Sequence, residues 1–393
     1  MTEVGAPILA ASEAAASGQP HVTQGTPYDG ILLAGFGGPE GQDDVIPFLR
    51  NVTRGRGIPD ERLEEVAHHY RHFGGISPIN AQNRALKAAI EAELAARGID
   101  LPVYWGNRNW APYLQEAVQD AAAAGDRTLL AIATSAYSSY SSCRQYREDL
   151  ARVLAETDLL GTVTIDKVRQ FFDHPGFVHA FTEGVTTAVR ELIADGIAPG
   201  RIRVLFSTHS IPTSDAQRSG PRDRDFGPGG AYAAQHEAVG GFVMDRVIEA
   251  VPEASETGWE LVYQSRSGPP TQPWLEPDVC DVIGELPGRG MEAVIIVPLG
   301  FVSDHMEVMW DLDTEAMEAA QEAGIRAVRT PTPGVDPVFV SGLVDLVEER
   351  RNGTPAAERP HLTDLGPWFD VCRPACCENV RAGFKPAVSG VAP

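Results

Sequence analysis

The sequence predicts an α/β fold of two Rossmann-like lobes, each a mainly four-stranded parallel sheet flanked by helices, with a cleft between the lobes. Three observations predict it. Eight short apolar or β-branched runs alternate with helix-like segments. Several of these runs are apolar throughout, which is typical of strands buried on both faces of a parallel sheet. The length of 393 residues exceeds what one small core can bury, so two packed domains are expected.

The predicted strands follow one another in chain order and divide into two sets of four. They are 31–38, 102–106, 128–136, 163–171, 201–208, 259–265, 292–301 and 325–330. Helical patterns lie between them, for example at 80–98 and 177–196, and the second ends on Gly196, a usual helix stop. In a doubly wound sheet of this kind, ligands bind beyond the carboxyl ends of the strands.

Four domains are predicted from these patterns. The boundary between the lobes is placed where "RQFFDHPG" interrupts the alternation. The predicted domains are a disordered N-terminal tail (1–27), an N-terminal lobe (28–170), a C-terminal lobe whose last helix can pack back onto the first lobe (171–352) and a cysteine-containing C-terminal extension (353–393). The tail is rich in Ala, Ser and Gly and lacks the basic region and apolar run of a secretory signal.

Composition excludes several classes of partner. The net charge of −22 argues against nucleic acid or an anionic membrane, since both repel an acidic surface. No apolar run approaches the roughly 20 residues of a membrane-spanning helix, so no transmembrane segment is expected. A cytoplasmic location follows, where thiols stay reduced. The "FGGPEG" stretch lacks the glycine spacing of a dinucleotide loop, so nucleotide binding is set aside.

A histidine and a glutamate follow two of the predicted core strands. His209 comes directly after the strand 201–208, and Glu307 follows the strand 292–301. Imidazole can bind a metal or accept a proton near neutral pH, and a hydrogen-bonded structural histidine is the alternative. One nitrogen and one oxygen ligand suit Fe²⁺ or a similar ion. Two protein ligands leave the metal unsaturated, as suits an ion that is held briefly and released.

A row of carboxylates continues from the glutamate. Glu307, Asp311 and Glu315 are spaced four residues apart, with His305 beside the first of them. Such residues share one face of a helix, and a wider π-type turn aligns them at least as well. Neighbouring carboxylates repel each other and raise each other's proton affinity. The row can therefore pass protons or hold divalent cations; a solvated acidic helix face is the alternative.

Cysteine and arginine clusters are the other candidate sites. Three cysteines near the C-terminus, Cys372, Cys376 and Cys377, indicate metal ligation before disulfides in a reducing compartment. The remaining two are Cys143 and Cys280, and the second reads as ordinary helix packing. A glycine-containing loop carries Arg50, Arg54 and Arg56. These can pair with substrate carboxylates or form surface ion pairs.

Five motifs, standing in one order, identify a family. They are "LLAGFGGPEG", "HFGGISPIN", "FSTHSIP", "QSRSGPPTQPWLEP" and "PLGFVSDHMEVMWDLD". From about Tyr28 to about Glu349 the chain resembles the ferrochelatases, which insert ferrous iron into a porphyrin and have a two-lobed, chelatase-like fold. The wording of "FGGPEG" and "NVTRGRG" resembles the actinobacterial branch, whose substrate is coproporphyrin III. The resemblance implies coproporphyrin III and Fe²⁺ as substrates, coprohaem as product and the downstream coprohaem decarboxylase as a partner.

The same resemblance implies roles for individual residues. His209 and Glu307 match the metal-binding histidine and the glutamate that faces it across the porphyrin, and they are expected on opposite sides of the ring. Asp311 and Glu315 match the acidic line behind that glutamate. Porphyrin contacts are expected from Ser77, Tyr146, Phe36, Tyr70 and Arg54. The side chain of Phe36 cannot ligate iron, unlike the tyrosine of some relatives. Apolar "FGGIS" and Trp310 would pack on the ring faces or simply in the core.

The resemblance also implies a resident cofactor. Some members of the family hold a [2Fe–2S] cluster with one internal cysteine and three near the C-terminus, matching Cys143, Cys372, Cys376 and Cys377. Four thiolates suit such a cluster. Tetrahedral zinc is the alternative, and adjacency of Cys376 and Cys377 leaves one of them a possible bystander.

Three other functions remain open. The first two are a protoporphyrin IX ferrochelatase and a cobalt or nickel chelatase for another tetrapyrrole, because the His/Glu pair would serve those reactions too. The third is a tetrapyrrole- or metal-binding protein without chemistry, which would leave the buried acid row unexplained.

Overall fold

Two four-stranded parallel sheets form the frame of the chain, as seen in a computed structural model that describes residues 20–55, 57–268, 271–373, 375–377 and 385–390. The strand order is β2-β1-β3-β4 in the first sheet and β6-β5-β7-β8 in the second. The strands are β1 Gly30–Gly35, β2 Val103–Asn107, β3 Thr128–Ala133, β4 Thr164–Lys167, β5 Ile202–His209, β6 Gly258–Gln264, β7 Ala293–Val297 and β8 Arg326–Arg329. The predicted two-lobed parallel fold is confirmed.

Helices alternate with the strands along the chain, as expected for doubly wound parallel sheets. The α-helices are α1 Val45–Val52, α2 Asp60–His72, α3 Ile79–Ala96, α4 Leu114–Ala124, α5 Gln145–Glu156, α6 Pro175–Ala194, α7 Thr213–Gln217, α8 Gly230–Ala250, α9 Val279–Glu285, α10 Met317–Ala323 and α11 Pro337–Asn352. Two segments, Tyr140–Arg144 and Val308–Ala316, are π-helical. None of the helices in the described parts of the chain is both long and apolar enough to cross a bilayer.

One apolar core is continuous between the sheets. Ile31 and Leu33 of β1 contribute to it from the first sheet, and Val204 and Phe206 of β5 from the second. Leu32, between the first two, points into a separate cluster on the outer face of its sheet. Both faces of each central strand are thus buried, which explains why these strands lack polar alternation in the sequence.

Helix α11 ties the second half of the chain to the first lobe. Arg97, which follows α3, donates hydrogen bonds to Asp345 and Glu348 at 2.6 Å each and to the carbonyl of Ser341 at 2.9 Å. Acceptors from these three residues hold the Arg97 guanidinium in one orientation, because its N–H donors have a fixed planar geometry. The contact fastens α11 to the first lobe.

The prediction of a disordered tail over 1–27 is wrong for residues 20–27, and residues 1–19 lie outside the described part of the chain. Val22 is 2% exposed. Its N–H donates to Asp370 at 2.8 Å, and its carbonyl accepts from Arg359 at 2.9 Å. The small-residue composition of the segment gives no sign of these partners, which lie more than 300 positions away. In the described part of the C-terminal extension, Trp368 likewise packs in the shared core.

Replacing Asp370 by asparagine should lower the free energy of unfolding by about 3–5 kcal/mol. The carboxylate is fully buried and pairs with Arg359 at 2.7 Å and Arg350 at 3.6 Å. The isosteric amide cannot neutralise these cations, so buried positive charge would be left uncompensated. Thermal unfolding followed by circular dichroism measures the loss. Asp364→Asn, the same change at an exposed site of the same segment, should leave the midpoint in place; equal midpoints for both variants would contradict the prediction.

Candidate active site

The site is built at the carboxyl edge of the second sheet. His209 is the last residue of β5, and Glu307 ends the loop that follows the neighbouring strand β7. Gly300 brings this loop against β5: its N–H donates to the carbonyl of Ser207 at 3.1 Å, and a Cβ there would overlap Thr208. The loop then returns toward the strand end, and the His209 Nε2 and Glu307 Oε1 atoms lie 3.6 Å apart.

The expectation that these two residues face each other across a porphyrin is wrong for this structure. A separation of 3.6 Å leaves no room for a macrocycle between them. Strands β5 and β7 are neighbours in one sheet, so side chains at their carboxyl ends share one wall of the cleft. His209 and Glu307 therefore place an imidazole nitrogen and a carboxylate oxygen, atom types that can bind a metal ion, on the same side.

Opposite charge holds the pair together. Burial alone would lower the pKa of His209, but Glu307 and the carbonyl of Ser210 raise it to about 9. Burial would raise the pKa of Glu307, but His209 lowers it to about 2. The two side chains are 32% and 45% exposed, so water screens their attraction.

The carboxylates behind Glu307 lie on the π-helical segment Val308–Ala316. The wider i→i+5 turn aligns residues spaced four apart, as the sequence predicted. Asp311 is half-buried, and Glu315 is exposed and accepts a hydrogen bond from the Trp310 indole at 2.9 Å. The row thus runs from the cleft toward solvent.

Asp311 is the member of the row whose proton affinity is raised. Burial raises its pKa to about 7, with smaller contributions from the charges of Glu307 and Glu315, while a hydrogen bond from Ser265 opposes the shift. From the sequence, mutual repulsion is the expected cause of a raised proton affinity along the whole row. In the structure burial is the larger cause at Asp311, and Glu307 shifts the other way because it pairs with His209.

Helix α2 of the first lobe forms the facing wall. Tyr70 packs with Phe48 and with Met306 from the Glu307 loop. Burial, followed by the charges of Glu307 and Asp311, raises the pKa of Tyr70 far above its ordinary value. Tyr70, predicted as a propionate contact, thus lies beside the acid row.

Trp310 lies between the lobes at the edge of the site. Its indole stacks on the His69 ring at 4.1 Å between centroids, and His68 and His72 flank it edge-on. This stacking on helix α2 differs from either expectation for Trp310, the porphyrin face or the protein core.

The other predicted porphyrin contacts divide between the cleft and the interior. Phe36 is 36% exposed in the loop after β1, and Arg54 is exposed beyond α1. Ser77 is buried, with its N–H bonded to the Pro39 carbonyl at 2.9 Å. Tyr146 is 4% exposed and belongs to the outer core of the first sheet.

Arg108 is a residue that the sequence analysis missed. It follows β2, pairs with Asp149 at 2.6 Å and lies over the rings of both Tyr146 and Phe36, at 4.7 and 5.9 Å from their centroids. A buried cation stacked between two aromatic rings links the cleft loop to the core. Its only sequence signal was an arginine just past a predicted strand end.

Four of the five cysteines meet in one place. Cys143, Cys372, Cys376 and Cys377 are buried together, and the sulfur atoms of the last two lie 3.8 Å apart. Cys280 lies elsewhere, partly buried against the outer core of the second sheet. The structure therefore gathers the same four thiols that the family resemblance selected.

The groups around these thiols would stabilise negative charge on the sulfur atoms. Arg147 is 1% exposed and lies one helical turn after Cys143. Its Nε donates to the Val388 carbonyl at 2.7 Å, while Nη1 and Nη2 have no hydrogen-bond partner among the described residues. The N–H of Gly220 donates to the Cys377 sulfur at 3.3 Å. A buried guanidinium with two free nitrogens needs a compensating anion, which four thiolates would supply. The described residues include no set of three or more His, Cys, Asp or Glu side chains already arranged around a metal position. The four thiols therefore lie close together, but their sulfur atoms do not have the geometry of a metal site.

Comparison with known proteins identifies the relatives of the chain. The family model described as Ferrochelatase matches residues 28–351. The coproporphyrin III ferrochelatase of Leifsonia xyli subsp. xyli is 67% identical, over 98% of this chain and 100% of that protein. That of Tropheryma whipplei is 55% identical, over 98% of each. SirB from Bacillus subtilis with Fe³⁺ matches 86% of this chain and 100% of its own at a TM-score of 0.45 and 13% identity.

The match to the family model and to full-length relatives shows that the chain is an enzyme of the metal chelatase class. Within that class, the chain belongs to the ferrochelatase family, as the family match over most of its length and the high identity to full-length relatives show. The family predicted from the five sequence motifs is confirmed.

Proposed function

We propose that the protein inserts Fe²⁺ into coproporphyrin III with release of two protons, giving coprohaem for haem synthesis. The relatives at 67% and 55% identity are both coproporphyrin III ferrochelatases. The observation that carries the proposal is the contact between His209 and Glu307, at 3.6 Å on the cleft wall. It brings together one imidazole and one carboxylate, which suit a transient Fe²⁺ ion.

Iron arrival must first displace a proton. Only neutral imidazole can ligate, and the raised pKa of His209 keeps the ring protonated near neutral pH. Binding of Fe²⁺ between His209 and Glu307 therefore releases the imidazolium proton. The ion then has two protein ligands and remains free to move to a tetrapyrrole that lies over the same wall.

When the iron ion leaves for the porphyrin, His209 and Glu307 become free to accept protons. As Fe²⁺ moves to the four ring nitrogens, the two pyrrole N–H protons leave; one returns to His209 and the other passes by Glu307 to Asp311. Together with the proton lost on iron binding, two protons are released per iron inserted. Asp311 is suited to the relay because its pKa is about 7, and Glu315 beyond it is exposed to solvent.

Activity should rise with pH through about 7 because of Asp311. Below its pKa of about 7 the carboxyl is protonated and cannot accept a proton; above it, the carboxylate can. Asp311→Asn should remove this limb of the kcat profile and lower kcat by about 10²-fold, in the range of general acid–base catalysis. Initial rates of iron insertion between pH 6 and 9 give the profile. A limb that survives unchanged in Asp311→Asn would contradict the relay.

Porphyrin selectivity is tested by supplying coproporphyrin III and protoporphyrin IX side by side. The former carries four propionates, which arginine and hydroxyl groups can bind as remote contacts that hold the ring distorted. We expect preference for coproporphyrin III. Equal or better use of protoporphyrin IX would favour the protoporphyrin enzyme, and faster Co²⁺ or Ni²⁺ insertion in a metal competition would favour the alternative chelatase.

The resident cofactor proposed is a [2Fe–2S] cluster held by Cys143, Cys372, Cys376 and Cys377. When bound, such a cluster supplies a one-electron redox centre at the junction of the first lobe and the C-terminal extension. Support comes from the burial of all four thiols together and from the Arg147 guanidinium beside them, two of whose nitrogens have no hydrogen-bond partner in the described part of the chain. Tetrahedral zinc is the competing occupant, and the absorption spectrum of anaerobically purified protein separates the two.

A cytoplasmic location and a downstream partner complete the proposal. Five free cysteines suit a compartment in which thiols stay reduced. Coprohaem must next be decarboxylated, so the decarboxylase is the expected recipient of the product. Cell fractionation tests the location, and stimulation of product release by the purified decarboxylase tests the partner.

A further inference from the structure

Gln264 lies between the end of β5, which carries His209, and the row of carboxylates that begins at Glu307. It is the last residue of β6 and pairs in register with His209, the last residue of β5. Its side chain is buried, at 1% exposure. The glutamine opens the "QSRSGPPTQPWLEP" motif, which helped identify the family but to which the mechanism so far gives no task.

The side-chain amide of Gln264 bonds in three directions. Its Oε1 accepts from the Ser207 hydroxyl at 2.8 Å. Its Nε2 donates to the carbonyl of Glu307 at 3.1 Å and to Asp311 Oδ2 at 3.3 Å. A backbone carbonyl can only accept, so the nitrogen must face the acid row and the oxygen must face β5.

Neighbouring contacts reinforce this arrangement. The backbone carbonyl of Gln264 accepts from the N–H of Ser210, immediately after His209, at 2.8 Å. The hydroxyl of the next residue, Ser265, also donates to Asp311 Oδ2, from a backbone with φ of +61°. Such a conformation is unusual for a residue with a side chain and persists only where its surroundings enforce it. Two donors from adjacent residues thus converge on one carboxylate oxygen.

We propose that Gln264 is a positioning residue for iron insertion, one that fixes the Asp311 carboxylate and the Glu307 backbone in line with His209. It acts through these groups and touches neither iron nor porphyrin. Only a side chain that accepts on one side and donates on the other satisfies Ser207 and the acid row together. The inference rests on the proposed function, in which Asp311 receives pyrrole protons.

Gln264→Glu is the sharpest test, because it keeps the shape and the acceptor toward Ser207 but replaces the donor by a carboxylate. A third negative group beside Asp311 and Glu307 makes ionisation of Asp311 harder. We expect kcat at pH 7 to fall about tenfold or more and the acidic limb of the kcat profile to move to higher pH by about one unit. The KM for coproporphyrin III should change by less than about twofold, because the substitution leaves the contacts that bind the porphyrin in its ground state unchanged.

A matched control separates positioning from loss of stability. Gln235 is also fully buried, and its amide bonds to Ser138 of the first lobe through both its oxygen and its nitrogen. Gln235→Glu makes the same chemical change away from the acid row. It should lower the melting temperature without moving the pH limb. A limb that stays in place in Gln264→Glu, or that moves equally in Gln235→Glu, overturns the inference.

A double-mutant cycle keeps the proposal testable if Gln264→Glu fails to fold. Gln264→Met preserves length and removes both polar atoms; alone it should lower kcat about tenfold. In an Asp311→Asn background most of that loss should disappear, because residues that act through one another are not additive. The same fold-loss in both backgrounds overturns the inference. Absence of insertion by the wild type would instead overturn the proposed function, and this inference with it.

Discussion

Replacing Glu307 by glutamine should lower kcat for iron insertion by about a thousandfold, within the range expected when a group that handles protons in the transition state is removed. The amide keeps the shape of the side chain but cannot carry negative charge. It offers Fe²⁺ a weaker ligand, and it no longer holds the pKa of His209 above its ordinary value. Anaerobic initial rates measure the loss, and titration of the His209 ring by NMR should show its pKa falling.

Glu318→Gln provides the matched control for that experiment. Glu318 lies on α10, on the same run of chain but exposed and beyond the acid row. The identical substitution there should leave kcat within about twofold of the wild type, as is usual for surface changes. Insertion by Glu307→Gln at the rate of this control would show that the glutamate has no part in the reaction.

If the four buried cysteines hold the proposed [2Fe–2S] cluster, replacing Cys372 by serine should abolish its absorption in the visible range and leave a colourless protein. The thiol lies among the other three buried cysteines, and a serine hydroxyl is a far weaker ligand for iron. The buried Arg147 guanidinium would also lose a compensating charge, so the melting temperature should fall. Absorption spectra, iron and sulfide content, and thermal unfolding of anaerobic preparations give the result.

Cys280→Ser is the control for the cluster, because Cys280 packs in a different part of the molecule. This variant should keep the full absorption spectrum. A colourless wild type containing one zinc per chain would contradict the [2Fe–2S] proposal in favour of zinc. Retention of the spectrum in Cys372→Ser would show that Cys372 is not a ligand.

The strands were predictable because they are buried on both faces. Ile31, Leu32 and Leu33 face two different cores, so the sequence there is apolar without interruption. The acid row was predictable for a different reason: its spacing of four is local, and the π-helical turn preserves it. Local patterns of this kind need no knowledge of how distant segments meet.

Relations between distant segments could not be predicted. The family resemblance implied that His209 and Glu307 lie on opposite sides of the ring. Chain order could not correct this, because it does not show that β5 and β7 are neighbours, which brings the two side chains to 3.6 Å. Val22 looked like part of a disordered tail because its partners, Arg359 and Asp370, follow more than 300 positions later.

Residues with ambiguous chemistry were missed for a similar reason. Gln264 could have been an ordinary polar strand end, and Arg147 an ordinary helix cation. Only the structure shows that the amide of Gln264 reaches Glu307 and Asp311, and that the guanidinium of Arg147 is buried with two nitrogens unpartnered. Burial of a polar group and its set of partners are tertiary properties, which no sequence window contains.

The most direct test of the account is anaerobic Fe²⁺ insertion by the wild type and by His209→Gln, followed through the fluorescence of coproporphyrin III. Glutamine at this position cannot bind iron through an imidazole or exchange a proton near neutral pH. The account predicts rapid quenching with the wild type and almost none with the variant. Unchanged fluorescence with the wild type, or equal quenching by both proteins, would contradict it.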